Sequence, residues 1–575
     1  MRDLKLYAHH GAGGWLRDLL ILAVVLGIPF FQYLGGLPLI DPDEGRYAEI
    51  PREMLERGDL ITPTLNYVKY FEKPPLLYWI NAASLKIFGL NEFAARFPSA
   101  LCGLLTILAT YIIARHLYGR RAALISALIL GTSAGFVLQS RIILTDMLLT
   151  FCLTAALGAF IIAAQREGRR SRALPWYLFY LFCALATLAK GLIGIVFPAG
   201  IIFFYLLWSR RWRLLSEMRL ATGLLLFLAI AAPWFIAVSL KNPEFARFFF
   251  IHEHFERFTS TVHGRYQPFW FFIPVLLGTM LPWSFFIPGA VVKAWRDRHH
   301  DEGQTGVYLL IWAMLIFLFF SKSSSKLIPY ILPIFPPLAL LISYRIDLFL
   351  DGRGRTIKTA AVLLGSTLTL LGIATLGYAR LPQIVSILAE LVPGWSGPLA
   401  QFVRSAPTLS LATGITLGSL FLLQGIGTLL AAGRTPIRML VVLCVGSFLL
   451  EILVPRLIMT HIANAESPRD LARKARSLGG PDTRMVTFGP MQAVSWYTGR
   501  RVLVTGKIDE LEFGSKQGDQ SAWFPDQQAL LTLWGSEKHI QVFLKKGEFD
   551  NLRPLLKPEP VINGENGRRL LISNR

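Results

Sequence analysis

The feature that most constrains this chain is a succession of long apolar runs joined by short basic connections. Runs near 19–36, 97–115, 122–139, 147–164, 176–190, 192–208, 220–238, 271–292, 306–320, 327–344, 358–379, 408–430 and 438–455 carry few charges. Most approach the roughly 20 residues that a helix needs to cross a bilayer. With 53% of its 575 residues hydrophobic, the chain has too little polar surface for a soluble protein of this size. The expected fold class is an α-helical polytopic membrane protein with about 13 transmembrane helices. The expected division is a membrane domain over 1–456 and a small soluble domain over 457–575.

Charge orients the spans. The net charge is +21, and much of it lies in short connections: 115–121, 166–172, 210–219, 293–298, 345–358 and 434–438. These alternate along the chain, as they do when Lys and Arg stay on the cytoplasmic side. The basic N-terminus, with Arg2, Lys5 and Arg17, shares that side only if the apolar stretch 74–90 does not cross. That stretch, PPLLYWINAASLKIFGL, is therefore expected to lie at the outer surface. The N-terminus is then cytoplasmic and the tail outside. The first run lacks a small-x-small cleavage site, which predicts a retained anchor. No nucleic-acid motif accompanies the positive charge, so no nucleic-acid partner is expected. The four cysteines, Cys102, Cys152, Cys183 and Cys444, lie in apolar runs without CxxC pairing, so neither a zinc knuckle nor a disulfide framework is indicated.

The same alternation places 37–96, 140–146, 239–270, 321–326 and the tail outside. In the tail, Arg484–Phe488, Arg501–Thr505, His539–Leu544 and Arg569–Ser573 read as strands. Pro490–Tyr497 and Pro525–Leu533 read as helices, giving a small α/β domain. No Gly-rich phosphate loop stands at a strand–helix junction, and no repeat or low-complexity run appears.

Residues 41–58, DPDEGRYAEIPREMLERG, carry the densest charge near a span. Asp41 before Pro42 predicts a helix N-cap. Tyr47, Ile50 and Met54 at helical spacing predict an amphipathic surface helix, with Arg46, Glu49 and Arg52 facing away from the apolar stripe. Charges held at a membrane surface on short connections tend to have partners or functions.

Three segments carry a family resemblance: Asp43-Glu44, then Glu72-Lys73-Pro74-Pro75-Leu76-Leu77-Tyr78-Trp79, then Phe93-Ala94-Ala95-Arg96-Phe97-Pro98-Ser99-Ala100. Glu253-His254-x-x-Arg257-Phe258 and Ser325-Lys326-Leu327-x-Pro329-Tyr330 add to it. Over roughly 38–345 the chain resembles the GT-C glycosyltransferases that use a lipid-phosphate sugar donor. Within them it resembles the bacterial 4-amino-4-deoxy-L-arabinose transferases of lipid A and the related protein O-mannosyltransferases.

The resemblance implies a transfer of aminoarabinose from undecaprenyl phosphate to lipid A phosphates at the periplasmic face of a bacterial inner membrane. It implies inversion by single displacement and resistance to polymyxin-like cationic peptides. The leaving phosphate needs fixed cations. Lys73, Arg46, Arg257 and Lys326, with Tyr330, are the expected donor-phosphate residues. Asp43 and Asp146 are the expected catalytic acids. A lipid A phosphate is already ionised, so Asp43 is expected to orient groups or balance the sugar's ammonium, whereas a hydroxyl acceptor would call for a base. Asp146 also reads as a helix N-cap, and Lys190 as a snorkelling cation. Glu44, Glu72, His254 and Lys190 complete the expected cavity. No cofactor is required. Glu72 and His254 are the candidates if a metal binds, because His252 and His254 point apart on a helix. The alternatives are a mannosyltransferase acting on protein and a multi-spanning transporter, the latter disfavoured by the lack of matched halves.

Overall fold

The computed structural model describes residues 12–166, 172–256, 267–300, 303–352, 357–391, 409–432, 436–536 and 538–575. Among the described residues, ten helices are long and apolar enough to cross a membrane. The first nine helices are α1 (Ala12–Phe31), α2 (Asp43–Arg57), α3 (Leu76–Phe88), α4 (Glu92–Tyr118), α5 (Arg120–Gly131), α6 (Ala134–Ser140), α7 (Thr145–Gln165), α8 (Ala173–Lys190) and α9 (Ile193–Ser209). Six more long apolar helices follow, from Leu220–Lys241 to Pro436–Glu466. Each run read from the sequence falls on one of these helices, on the shorter α9, or on a bent pair.

Two runs expected to be straight are broken. The run 122–139 turns by 65° between α5 and α6, and 271–292 turns by 112° between Phe272–Thr279 and Trp283–Arg296. A break at membrane depth frees backbone groups that lipid cannot satisfy. Here the two breaks meet. Ala134 N donates to Leu281 O at 3.0 Å, and Trp283 Nε1 donates to Thr132 Oγ1 at 3.0 Å.

Helix α3 has 13 residues. At 1.5 Å per residue this is about 20 Å, short of the roughly 30 Å hydrocarbon core. Its length fits a helix lying beside the spans. Two of its polar side chains repair proline defects in its neighbours. Pro51 inside α2 has no N–H for Tyr47 O, and Asn81 Nδ2 donates there at 3.3 Å. Pro98 inside α4 likewise leaves Ala94 O free, and Ser84 Oγ donates to it at 2.6 Å. Gln32 plays the same part where Pro455 interrupts the last span, donating to Glu451 O and Ile452 O at 3.5 and 3.3 Å.

The region after α1 corrects the sequence reading. Asp41 does not cap α2: Pro42 holds the N-cap position and no side-chain cap bond forms. Nor is α2 a surface helix. Glu44, Arg46, Glu49 and Glu53 are buried together with Tyr47, Ile50 and Met54. Both faces are covered because α3 packs on one side and the tail domain on another. The loop after α2 adds a small hairpin, β1 (Thr64–Leu65) with β2 (Val68–Lys69).

The tail forms a five-stranded sheet from β3 (Arg484–Phe488), β4 (Leu503–Thr505), β5 (Ile540–Lys545), β6 (Val561–Asn566) and β7 (Arg569–Ser573), in the order β4-β3-β5-β7-β6. The β3–β4 and β3–β5 pairs are parallel, and the pairs made by β7 are antiparallel. Strand β6 and the helix Arg469–Leu478 are absent from the sequence reading. Val561–Asn566, VINGEN, lacks the apolar alternation that marks a half-buried strand.

This domain sits on α2 and the hairpin. Ala493 N donates to Asp41 Oδ1 at 2.9 Å. Leu39 N donates to the Tyr497 hydroxyl at 2.8 Å, which donates onward to Glu92 at 3.1 Å. Asn66 exchanges two hydrogen bonds with the Val502 backbone, at 2.9 and 3.1 Å. Gly45 allows the close approach: a β-carbon there would overlap the Asp41 carboxylate and the Ala493 backbone. Gly45→Ala is therefore expected to cost about 1–3 kcal/mol, the usual range for overpacking. Limited proteolysis of the purified protein should show faster release of the tail domain. Unchanged cleavage would mean that the domain shifts without loss.

Candidate active site

Seven of the expected site residues fall into two groups, Asp43, Arg46, Glu72 and Lys73 in one and Asp146, Lys190 and Tyr330 in the other. The first forms on α2 and the segment before α3. Arg46 is 4% exposed. It forms close ion pairs with Asp43 on its own helix and with Glu510 from the tail domain. Its guanidinium lies 4.7 Å over the Tyr47 ring, and Tyr47 stacks on Tyr78 at 6.2 Å. Asp43, Tyr70 and Glu72 all lie within electrostatic reach of Arg46. Lys73 Nζ donates to Glu72 O at 2.8 Å. An aromatic wall supports this segment: Phe71 meets Phe245 edge-on at 5.2 Å and Phe513 at 5.7 Å.

The second group links α7, α8 and the turn opening the span Ile328–Leu350. Lys190 Nζ donates to Asp146 Oδ1 at 2.5 Å, with both side chains 9% exposed. The same ammonium lies 4.7 Å from the Tyr330 ring. Asp146 is in the first turn of α7, and Leu144 takes the N-cap position, so the capping reading of Asp146 is replaced by an ion pair. The snorkelling reading of Lys190 is replaced likewise: its ammonium turns inward.

Lys326 is buried and donates to Gln267 O at 2.7 Å and Ser323 O at 2.5 Å. Burial pulls its ammonium below the usual lysine range. Arg257 and the side chain of His254 lie outside the described residues. Among the described residues, no three His, Cys, Asp or Glu side chains gather where a metal could bind.

One further sequence reading changes. Glu44 lines no cavity: it is 1% exposed and binds Arg96 through both oxygens, at 2.8 and 2.6 Å. Arg96 spends its remaining N–H groups on Leu34 O, Leu37 O and Pro38 O, which fixes the path of the loop into α2. Arg46, expected to contact the donor phosphate, is held here between the carboxylates of Asp43 and Glu510. Its immediate effect is to orient Asp43, whose side chain is 46% exposed. The sequence reading also missed Glu510. Only the acidic pair Asp509-Glu510 marked that turn, and nothing local indicates a partner more than 400 residues away.

Asp41 has a distinct environment. Oδ2 is buried without a hydrogen-bond partner among the described residues. Burial pushes the carboxyl up to about 7, opposed by the Ala493 amide. The folded chain then binds this proton more tightly than the unfolded chain does, so stability falls as pH rises from 3.8 to about 7. Asp41→Asn removes that slope. Melting midpoints in detergent at about pH 5 and about pH 8 should show the variant gaining on the parent at the higher pH. Equal pH dependence in both would refute the burial argument.

Comparison with known proteins places this geometry. Residues 39–249 match the family described as dolichyl-phosphate-mannose-protein mannosyltransferase, and residues 471–574 match the aminoarabinose transferase C-terminal domain. The crystal structure of ArnT from Cupriavidus metallidurans bound to undecaprenyl phosphate superposes with a TM-score of 0.81 at 28% identity, covering 98% of this chain and 99% of that one. This chain has the GT-C glycosyltransferase fold. The undecaprenyl phosphate-α-4-amino-4-deoxy-L-arabinose arabinosyl transferase of Erwinia tasmaniensis is 38% identical over 334 residues, 57% of this chain and 59% of that protein. Its namesake from Pseudomonas paraeruginosa is 35% identical over 366 residues, 64% of this chain and 66% of that protein. These matched stretches thus span under two thirds of the curated relatives' own lengths. Within the GT-C fold, the first acid–cation group is completed by the tail domain, whose Glu510 reaches Arg46.

Proposed function

We propose that this chain moves 4-amino-4-deoxy-L-arabinose from undecaprenyl phosphate to lipid A phosphates on the periplasmic side of the bacterial inner membrane. The observation that carries the reading is the full-length likeness to a transferase bound to undecaprenyl phosphate, combined with the acid–cation groups described above. In this reading the N-terminus is cytoplasmic, the membrane part ends near residue 456, and the tail is periplasmic.

The reaction is a single displacement. An acceptor phosphate oxygen attacks the anomeric carbon, the bond from that carbon to the carrier phosphate breaks, and undecaprenyl phosphate leaves with the electron pair. The configuration inverts. Lys73, Lys326, Arg257 and Tyr330 hold the leaving phosphate and offset its developing charge. Asp43, oriented by Arg46, and Asp146, held by Lys190, position the sugar and acceptor.

Mass spectrometry of lipid A from cells with and without the gene tests the acceptor. An added aminoarabinose mass that appears only with the gene is expected. Unchanged lipid A would overturn the assignment. The mannosyltransferase match over 39–249 supports a second reading, transfer of a neutral sugar to protein. Mannose on protein, with lipid A unaltered, would favour it.

A further inference from the structure

We infer that Tyr70 is a further substrate-binding residue, whose hydroxyl donates to a sugar hydroxyl of the bound donor. The inference rests on the proposed glycosyl transfer from a polyprenyl phosphate and deepens it.

The first observation is an orphaned donor. Tyr70 is 2% exposed, and its hydroxyl is buried with no hydrogen-bond partner among the described residues. Burial holds the phenol well above the usual tyrosine range, so it keeps its proton at neutral pH. Buried polar groups are nearly always paired, because a donor left with neither water nor an acceptor costs stability. A substrate oxygen removes that cost on binding.

A second donor stands near the first. Nε of Arg46 is also buried and makes no hydrogen bond among the described residues. The Tyr70 hydroxyl and the Arg46 guanidinium lie within each other's electrostatic reach. The ion pairs of Arg46 with Asp43 and Glu510 use its two terminal nitrogens, so Nε is not spent on them.

The surroundings select the ligand. Asp43 pairs with Arg46 and keeps its side chain 46% exposed, and Glu72 lies within electrostatic reach of Tyr70. Carboxylates repel an anionic phosphate oxygen. A hydroxyl suits them: it accepts from the phenol or the guanidinium and donates its own proton to a carboxylate such as Asp43. Lys73, proposed to hold the leaving phosphate, follows on the same segment. A contact to the sugar linked to that phosphate therefore fits the place of Tyr70 in the chain.

Tyr70 is also held firmly. Its backbone N–H donates to Pro63 O at 3.0 Å. Lys69 before it pairs with Glu244, and Phe71 after it is wedged against Phe245 and Phe513. A donor fixed in this way loses little freedom when the sugar binds.

The test uses the full-length protein in detergent, wild type and Tyr70→Phe. The ligands are undecaprenyl phosphate, the same carrier bearing aminoarabinose, and carriers bearing its 2-deoxy and 3-deoxy analogues. Binding is read as displacement of radiolabelled undecaprenyl phosphate, alongside the melting midpoint. Tyr70→Phe should leave the midpoint unchanged or raised, since the hydroxyl is unsatisfied in the free protein. It should weaken the aminoarabinose donor roughly tenfold, the scale of one buried hydrogen bond, and leave undecaprenyl phosphate binding unchanged. One of the deoxy donors should bind the wild type roughly tenfold more weakly and lose nothing further in Tyr70→Phe, because the contact is already gone. An equal loss for the carrier without sugar would assign the hydroxyl to the phosphate and overturn the inference. A lowered midpoint with equal losses for all ligands would make Tyr70 structural and overturn it too, as would unchanged binding throughout or a further loss with both deoxy donors. In each case transfer from the carrier stands. A wild type that transfers no sugar from the carrier would overturn the functional reading, and this inference with it.

Discussion

Replacing Arg96 with methionine is expected to destabilise the protein by about 3–5 kcal/mol, the cost of stripping one partner from a buried ion pair. Arg96 and Glu44 have side chains 3% and 2% exposed, so water cannot replace the lost partner. The substitution also orphans Leu34 O, Leu37 O and Pro38 O, which only this guanidinium satisfies among the described contacts. Glu44→Gln should cost less, because an amide still accepts from Arg96 and the three carbonyl contacts survive. Thermal unfolding followed by size-exclusion fluorescence in detergent orders the two variants. A loss under about 0.5 kcal/mol in Arg96→Met, the level of an ordinary surface change, would show that the loop re-routes around the gap. The site would feel the loss as well, since α2 begins immediately after the loop that Arg96 holds.

Sequence reading recovers those features that hydropathy and local charge encode. Spans appear as apolar runs, and α3 is set apart by parity of the basic loops and by its short length. Asp43, Lys73 and Tyr330 stand out in the sequence at motif positions, and Asp146 and Lys190 as charges at the edges of apolar runs. What escapes is whatever depends on distant partners. The breaks at Thr132-Ser133 and Leu281-Pro282 hide inside runs that stay apolar throughout, since a bend changes no residue's hydropathy. Helix α2 reads as a surface helix because its acids look solvated. They are buried because Arg96 lies 52 residues on and Ala493 lies 452 residues beyond Asp41. Glu49 and Glu53 make the same point: Glu49 is neutralised by Arg52 within the helix, whereas Glu53 takes its bonds from Thr64 and Tyr67 in the following hairpin. Arg46 makes it again, since its partner Glu510 lies 464 residues on.

Asp43→Asn is expected to lower the transfer rate by at least about 100-fold, the scale of one lost electrostatic or proton-transfer contribution at a reacting centre. Donor binding should hold, because the cations proposed to hold the phosphate are untouched and Asn can still accept from Arg46. The decisive reading is the pH dependence of the residual rate. If Asp43 orients the sugar and the ionised acceptor, the variant's rate stays depressed by a constant factor across the pH range, since no proton is removed in the step. If Asp43 is a general base, hydroxide substitutes for it, and the variant's log rate climbs with pH at a slope of one. The orienting role is the one favoured by the structure. Asp43 is tied to a guanidinium that is itself anchored by Glu510, an arrangement that fixes the direction of a carboxylate. Full activity in the asparagine variant would remove Asp43 from the mechanism and leave Asp146, on Lys190, as the acid around which the site is built.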